Sequence, residues 1–110
     1  MKAEVRYRLY VIELGKHPGG ANGRTVYVGH TGKTVSDRFR DHMAGGVTSS
    51  RRVRRYGTRL LPGLVRGLPT FATRTEAEEA EVLLVTNLRS QGYRVFGGSG
   101  RRVLEEFDSD

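Results

Sequence analysis

The residue least explained by packing in this sequence is Glu81. In TEAEEAEVLLVTNLRSQG, from Thr75 to Gly92, the side chains of Ala77, Ala80, Leu84, Val85 and Leu88 recur as one apolar face of a helix. At ~100° per residue Glu81 falls inside that stripe, about 40° from Ala77 and about 20° from Leu88, whereas Glu76, Glu78 and Glu79 point sideways or away. A carboxylate facing a core needs a partner, be it an arginine, a metal ion or water. Arg38 and His42, four residues apart, form a second constellation on the same side of a shorter helix as Val35 and Phe39. Arginine holds a phosphate in bidentate fashion, and histidine donates a proton or orients a water. Both lean toward a sheet in which Tyr10 and Tyr27 are placed to meet them.

The elements that must carry these residues are readable from local signals. VRYRLYVIEL, Val5 to Leu14, is rich in β-branched and aromatic residues and predicts a strand, with Val5, Tyr7, Leu9 and Val11 on one face and Tyr10, Ile12 and Leu14 on the other. KHPGGANG, from Lys16 to Gly23, is a loop of turn formers, and TVYVG, Thr25 to Gly29, is a second strand antiparallel to the first. A helix starting near Thr34 or Ser36 stops at Gly45-Gly46, with Val35, Phe39 and Met43 as its apolar face. Ser49 or Ser50 caps a short helix through SRRVRRYG, and the stretch to Pro69 is left open. Thr75-x-x-Glu78 matches a capping box for the long helix, which ends at Gly92, and Tyr93 to Phe96 predicts a final strand.

Length and charge narrow the function classes. At 110 residues the expectation is one domain, residues 1–100, followed by a polar tail, 101–110. No stretch approaches the roughly 18–20 apolar residues of a membrane span, and MKAEVRYRLY lacks the pattern of a signal peptide. Without cysteine there are no disulfides or thiolate metal sites, and the expected compartment is the cytoplasm. The net charge is +7 and the pI about 10.4, and only three of the nineteen basic residues are lysine. That favours a polyanionic partner, with arginine suited to phosphate. Between Val47 and Thr70 lie Arg51, Arg52, Arg54, Arg55, Arg59 and Arg66 with no acid, while acids gather at Glu76–Glu81 and from Glu105 to Asp110. The basic stretch reads as a phosphate-facing surface.

Four fragments, in order, carry a family resemblance. Leu9-Tyr10-Val11 and Tyr27-Val28-Gly29 resemble the paired signature of GIY-YIG nucleases. YVGHTGKTVSDRFRDH, Tyr27 to His42, is similar to the family's run of YVG, short loop and helical R-x-x-x-H. EAEEAE, Glu76 to Glu81, resembles its E-A-x-x-x-E, and RSQGYRVFGG its closing strand. The chain departs from the pattern at Leu9, where the family name has glycine, and in the long loop between the two tyrosines. It departs again at Tyr93, the offset at which relatives commonly carry an asparagine.

The resemblance implies an α+β fold, a small three-stranded antiparallel sheet flanked by helices, and one-metal hydrolysis of phosphodiester bonds in nucleic acid, DNA ahead of RNA. Glu81 would hold Mg²⁺ or Mn²⁺, and Arg38 would clamp the scissile phosphate. Tyr10 or Tyr27, assisted by His42, would help deprotonate the attacking water, which requires nearby cations to lower a phenol pKa of ~10. Lys33 is a further phosphate contact, His30 a minor participant and His17 incidental. With no separate DNA-binding domain expected, specificity is limited, rests on Arg51, Arg52, Arg54, Arg55 and Arg59, or comes from a recruiting protein partner. Two alternatives stand beside this: a non-catalytic nucleic-acid-binding module of the same fold, and a small basic RNA-associated protein in which Tyr10, Tyr27, Arg38 and Glu81 lie scattered. The absence of the usual basic-aromatic RNA-binding signatures counts against the latter.

Overall fold

Alternation in the first two strands decides the architecture, because it gives each strand two apolar faces and therefore two layers to satisfy. In the computed structural model, which describes residues 5–18, 24–45 and 50–97, β1 (Arg8–Glu13) pairs antiparallel with β2 (Thr25–Thr31). Directly opposed residues share a face, so Leu9 meets His30 and Val11 meets Val28 on one side, while Tyr10 meets Gly29 and Ile12 meets Tyr27 on the other.

Helix α1 (Val35–Ala44) is capped by the Thr34 hydroxyl, which accepts from Asp37 N–H, and ends where Gly45 turns left-handed at φ 76°. Helix α2 (Arg51–Tyr56) is capped by Ser50. Together they cover the face of Tyr10, Ile12, Leu14, Tyr27, Val53 and Phe96. Helix α3 (Arg74–Ser90) covers the opposite face, where Ala77, Leu84, Val85 and Leu88 pack on Leu9, Val11, Val26, Val28 and Val95. No helix among the described residues is long and apolar enough to cross a membrane.

The domain is α+β, but the sheet is not the three-stranded antiparallel one expected. It is mixed and four-stranded, in the order β3-β1-β2-β4. The two-residue strand β3 (Arg59–Leu60), in the stretch left open, pairs antiparallel with β1. Strand β4 (Arg94–Gly97) runs parallel to β2. The physical reason is the crossover: α3 returns the chain to the end of the sheet at which β2 begins, so the last strand can only run alongside β2 in its own direction. A 3-10 turn at Pro62–Leu64 follows β3.

Two local expectations also shift. The capping box of α3 is Thr73 with Glu76, not Thr75 with Glu78. Both threonines have a glutamate three residues on, and the bridge between Tyr7 and Phe71 delivers the chain to the earlier start. In α1, Val35 and Phe39 pack inward as expected, but Met43 is 39% exposed and His42 is the buried residue. The tail 101–110, with its acids, lies outside the described residues.

Candidate active site

Gly29 shows how closely this face is fitted. A Cβ built there would lie 2.5 Å from the Tyr10 hydroxyl oxygen and 2.6 Å from its Cζ, so the tyrosine ring occupies the space that any other residue would fill. The glycine of the second motif is therefore a packing requirement of Tyr10, more than a mark of a strand end. With the ring laid across β2, the Tyr10 hydroxyl reaches His42 Nε2 at 2.7 Å.

The direction of that hydrogen bond follows from the other ring nitrogen. His42 Nδ1 accepts the backbone N–H of Ser50 at 2.8 Å, so the neutral ring carries its proton on Nε2 and donates it to Tyr10. Burial, joined by the positive charge of Arg38, pulls the His42 pKa down to about 4, against the weaker pull of Asp41. His42 is thus neutral near pH 7, fixed in one tautomer, and 0% exposed. Tyr27 closes the group, with its ring centre 6.4 Å from that of Tyr10 and 5.5 Å from that of His42.

Arg38 reaches the same place from α1 and hydrogen-bonds the Tyr10 hydroxyl; Ser50 does so with Tyr27. Glu81 arrives from α3. It is fully buried, and its carboxylate lies near enough for its charge to act on both tyrosines. His30 Nδ1 donates to Glu81 Oε1 at 2.9 Å. Tyr10, Tyr27, Arg38, His42 and Glu81, contributed by β1, β2, α1 and α3, are therefore brought together and not scattered.

Both tyrosines are shifted upward, opposite to the direction that a water-activating role requires. Burial pushes Tyr10 far up, reinforced by Tyr27 and by Glu81, and the Arg38 guanidinium only partly offsets this. Tyr27 is pushed up to about 12 by burial and then by the Glu81 charge, against Arg38, Ser50 and Arg52. Burial outweighs the single guanidinium, and only a further positive charge, such as a bound metal ion, would bring either phenol back down.

No family model, curated protein or solved structure matches this chain. The geometry has to speak for itself.

The donors around Glu81 decide whether a divalent cation fits. Among the described residues no three His, Cys, Asp or Glu side chains gather into a cage. Glu81 is a single hard oxygen donor whose charge is felt by Tyr10 and Tyr27, which fits a hard cation that takes its remaining ligands from water and phosphate. Because the carboxylate is fully buried, covering side chains must give way for a cation to reach it.

The basic residues separate into two groups. Lys33 is held by Asp41 at 2.7 Å, and Arg59 by Glu13 at 3.2 Å on the far side of β1. Arg54 lies along Gly45. Arg51, Arg52 and Arg55 instead line one groove with Ser50 and Tyr56. His30 was undervalued in the sequence because its partner lies 51 residues away. Ser50 was legible as a cap but not as a donor to His42. His17 is a buried ring set edge-on to Tyr56, 4.8 Å between centres.

Proposed function

We propose that this chain is a metal-dependent endonuclease of the GIY-YIG type, hydrolysing phosphodiester bonds in nucleic acid, DNA ahead of RNA. The observation that carries the reading is the convergence of Tyr10, Tyr27, Arg38 and His42 in one contact group, with the buried Glu81 near enough for its charge to act on both phenols, from four separate elements. Chance packing has no use for two buried phenols, a neutral histidine, a guanidinium and a buried carboxylate so close together.

The division of labour follows from the geometry. Arg38 supplies a fixed positive charge and a planar fork for the scissile phosphate. His42 donates Nε2–H to Tyr10, which orients the phenol so that its own proton points elsewhere, toward a bound oxygen. The two hydroxyls orient the attacking water and the phosphate by hydrogen bonds. Glu81 is the residue that would hold Mg²⁺ or Mn²⁺, and such an ion would neutralise charge on the phosphate and the leaving oxygen. His30 steadies the Glu81 carboxylate.

A second reading, a nucleic-acid-binding module without catalysis, draws on one observation: Glu81 is wholly covered and engaged by His30. One experiment separates the two. Wild type and Glu81→Gln, both shown to be folded, are incubated with single-stranded, duplex and branched DNA and with RNA, in Mg²⁺, Mn²⁺ or EDTA. Metal-dependent cleavage that falls at least about a hundredfold in Glu81→Gln is the expected result. Salt-sensitive binding in both proteins with no cleavage of any substrate would favour the module. Undiminished cleavage by Glu81→Gln would place the chemistry elsewhere.

A further inference from the structure

The groove on α2 gathers arginines held over aromatic rings, a contact that Arg24 with Tyr93 and Arg94 with Phe96 also make. Lys33, Arg40 and Arg59 are engaged by Asp41, Asp37 and Glu13. In the groove, the Arg52 guanidinium lies over the Phe96 ring at 4.4 Å and that of Arg55 over the Tyr56 ring at 5.3 Å. Tyr56 is in turn braced by His17, which also touches Phe96, 5.4 Å between ring centres. A guanidinium held over an aromatic face loses rotamer freedom, and arginine's planar fork matches a phosphate. Such preorganisation lowers the entropy lost on binding. Among the described residues, those lining the groove are Ser50, Arg51, Arg52, Arg55 and Tyr56, all neutral or basic.

The groove also adjoins the catalytic face. Ser50 lines it and donates its backbone N–H to His42, and its side chain hydrogen-bonds Tyr27. Arg52 is close enough for its charge to act on Tyr27. A phosphate held at Arg38 therefore has its chain neighbours within reach of the groove.

We propose that the α2 groove is a backbone subsite, in which Arg51, Arg52 and Arg55 hold phosphates of the nucleic-acid strand that adjoin the scissile one. This rests on the nuclease reading for the word scissile, though the binding it asserts does not need catalysis. Arg54, Arg59 and Lys33 have no part in the subsite, which divides a basic segment that the sequence presents as uniform.

The test uses the full chain, fluorescently labelled single-stranded and duplex DNA, and EDTA, with affinity read by anisotropy across a salt series. Arg51→Gln/Arg55→Gln alters two exposed side chains and leaves Arg52 on its ring. Arg66→Gln/Arg74→Gln, also exposed, is the charge-matched control. The groove variant is expected to bind roughly tenfold more weakly near physiological salt, with a log–log salt slope shallower by roughly 1.4 on single strands and roughly 1.8 on duplex, as two lost phosphate contacts require. The control should change neither by a comparable amount. Equal effects in the two double variants, or an unchanged slope in the groove variant, would overturn the subsite. Failure of the nuclease reading looks different: wild type cleaves nothing in metal, while the groove variant still shows the shallower slope.

Discussion

The two faces of the sheet are filled by opposite kinds of residue. Beneath α3 the interior is aliphatic apart from the Glu81–His30 pair, with Leu9, Val11, Val26, Val28, Leu84, Val85, Leu88 and Val95 closing on one another. Beneath α1 and α2 it holds two phenols and a histidine beside Ile12, Leu14, Val53 and Phe96, and a glycine makes room for one of the phenols. The first face gains its stability from burial that any well-fitting apolar set would give. The second retains polar groups that need matched partners, a costlier arrangement that the proposed catalysis would explain. Aliphatic packing thus dominates one side of the four-stranded sheet, broken there by Glu81 and His30, and buried aromatic polar groups mark the other.

The sharpest way to break that contrast is to damage the aliphatic side. Leu88 is 2% exposed at the centre of the α3 packing, and Leu88→Ala should cost about 2–5 kcal/mol in denaturant unfolding. A much smaller loss would mean that α3 is not the element that holds the domain together.

The other side should reveal itself through acid. His42 is buried neutral, with its pKa held at about 4 in the folded chain against about 6.5 when unfolded. Below the unfolded value the unfolded chain takes up a proton that the folded one refuses, so this contribution is complete above about 6.5 and is lost as the pH falls toward 4. Between pH 7 and pH 4.5 wild type should lose about 2 kcal/mol more than His42→Gln. Equal losses would show that the ring is not held as the Ser50 and Tyr10 contacts require.

Much of the fold was written in local signals. The antiparallel β1–β2 pair, the Thr34 and Ser50 caps and the glycine stop at Gly45 all rest on residues within one turn of the feature they determine. The stripe that exposed Glu81 as an anomaly was legible because helical periodicity is itself local, and the structure buries that residue together with Ala77, Leu84, Val85 and Leu88. What escaped depends on distant partners. The parallel direction of β4 is set by where α3 returns the chain, and β3 by pairing with a strand nearly fifty residues earlier. His30 acquires its role only when Glu81 arrives beside it. The raised phenols of Tyr10 and Tyr27 come from burial depth, which no spacing encodes.

Arg38 offers the most direct measurement of whether the polar face exists for catalysis. It is half-buried on α1 and outside both apolar clusters, so Arg38→Ala should lower stability by only about 1 kcal/mol, through the lost hydrogen bond to Tyr10, and leave the chain folded. Single-turnover cleavage in Mn²⁺ should meanwhile fall by about a hundredfold or more, as expected when one charge-stabilising donor is removed. Cleavage by folded Arg38→Ala at the wild-type rate would contradict the assignment of chemistry to this face.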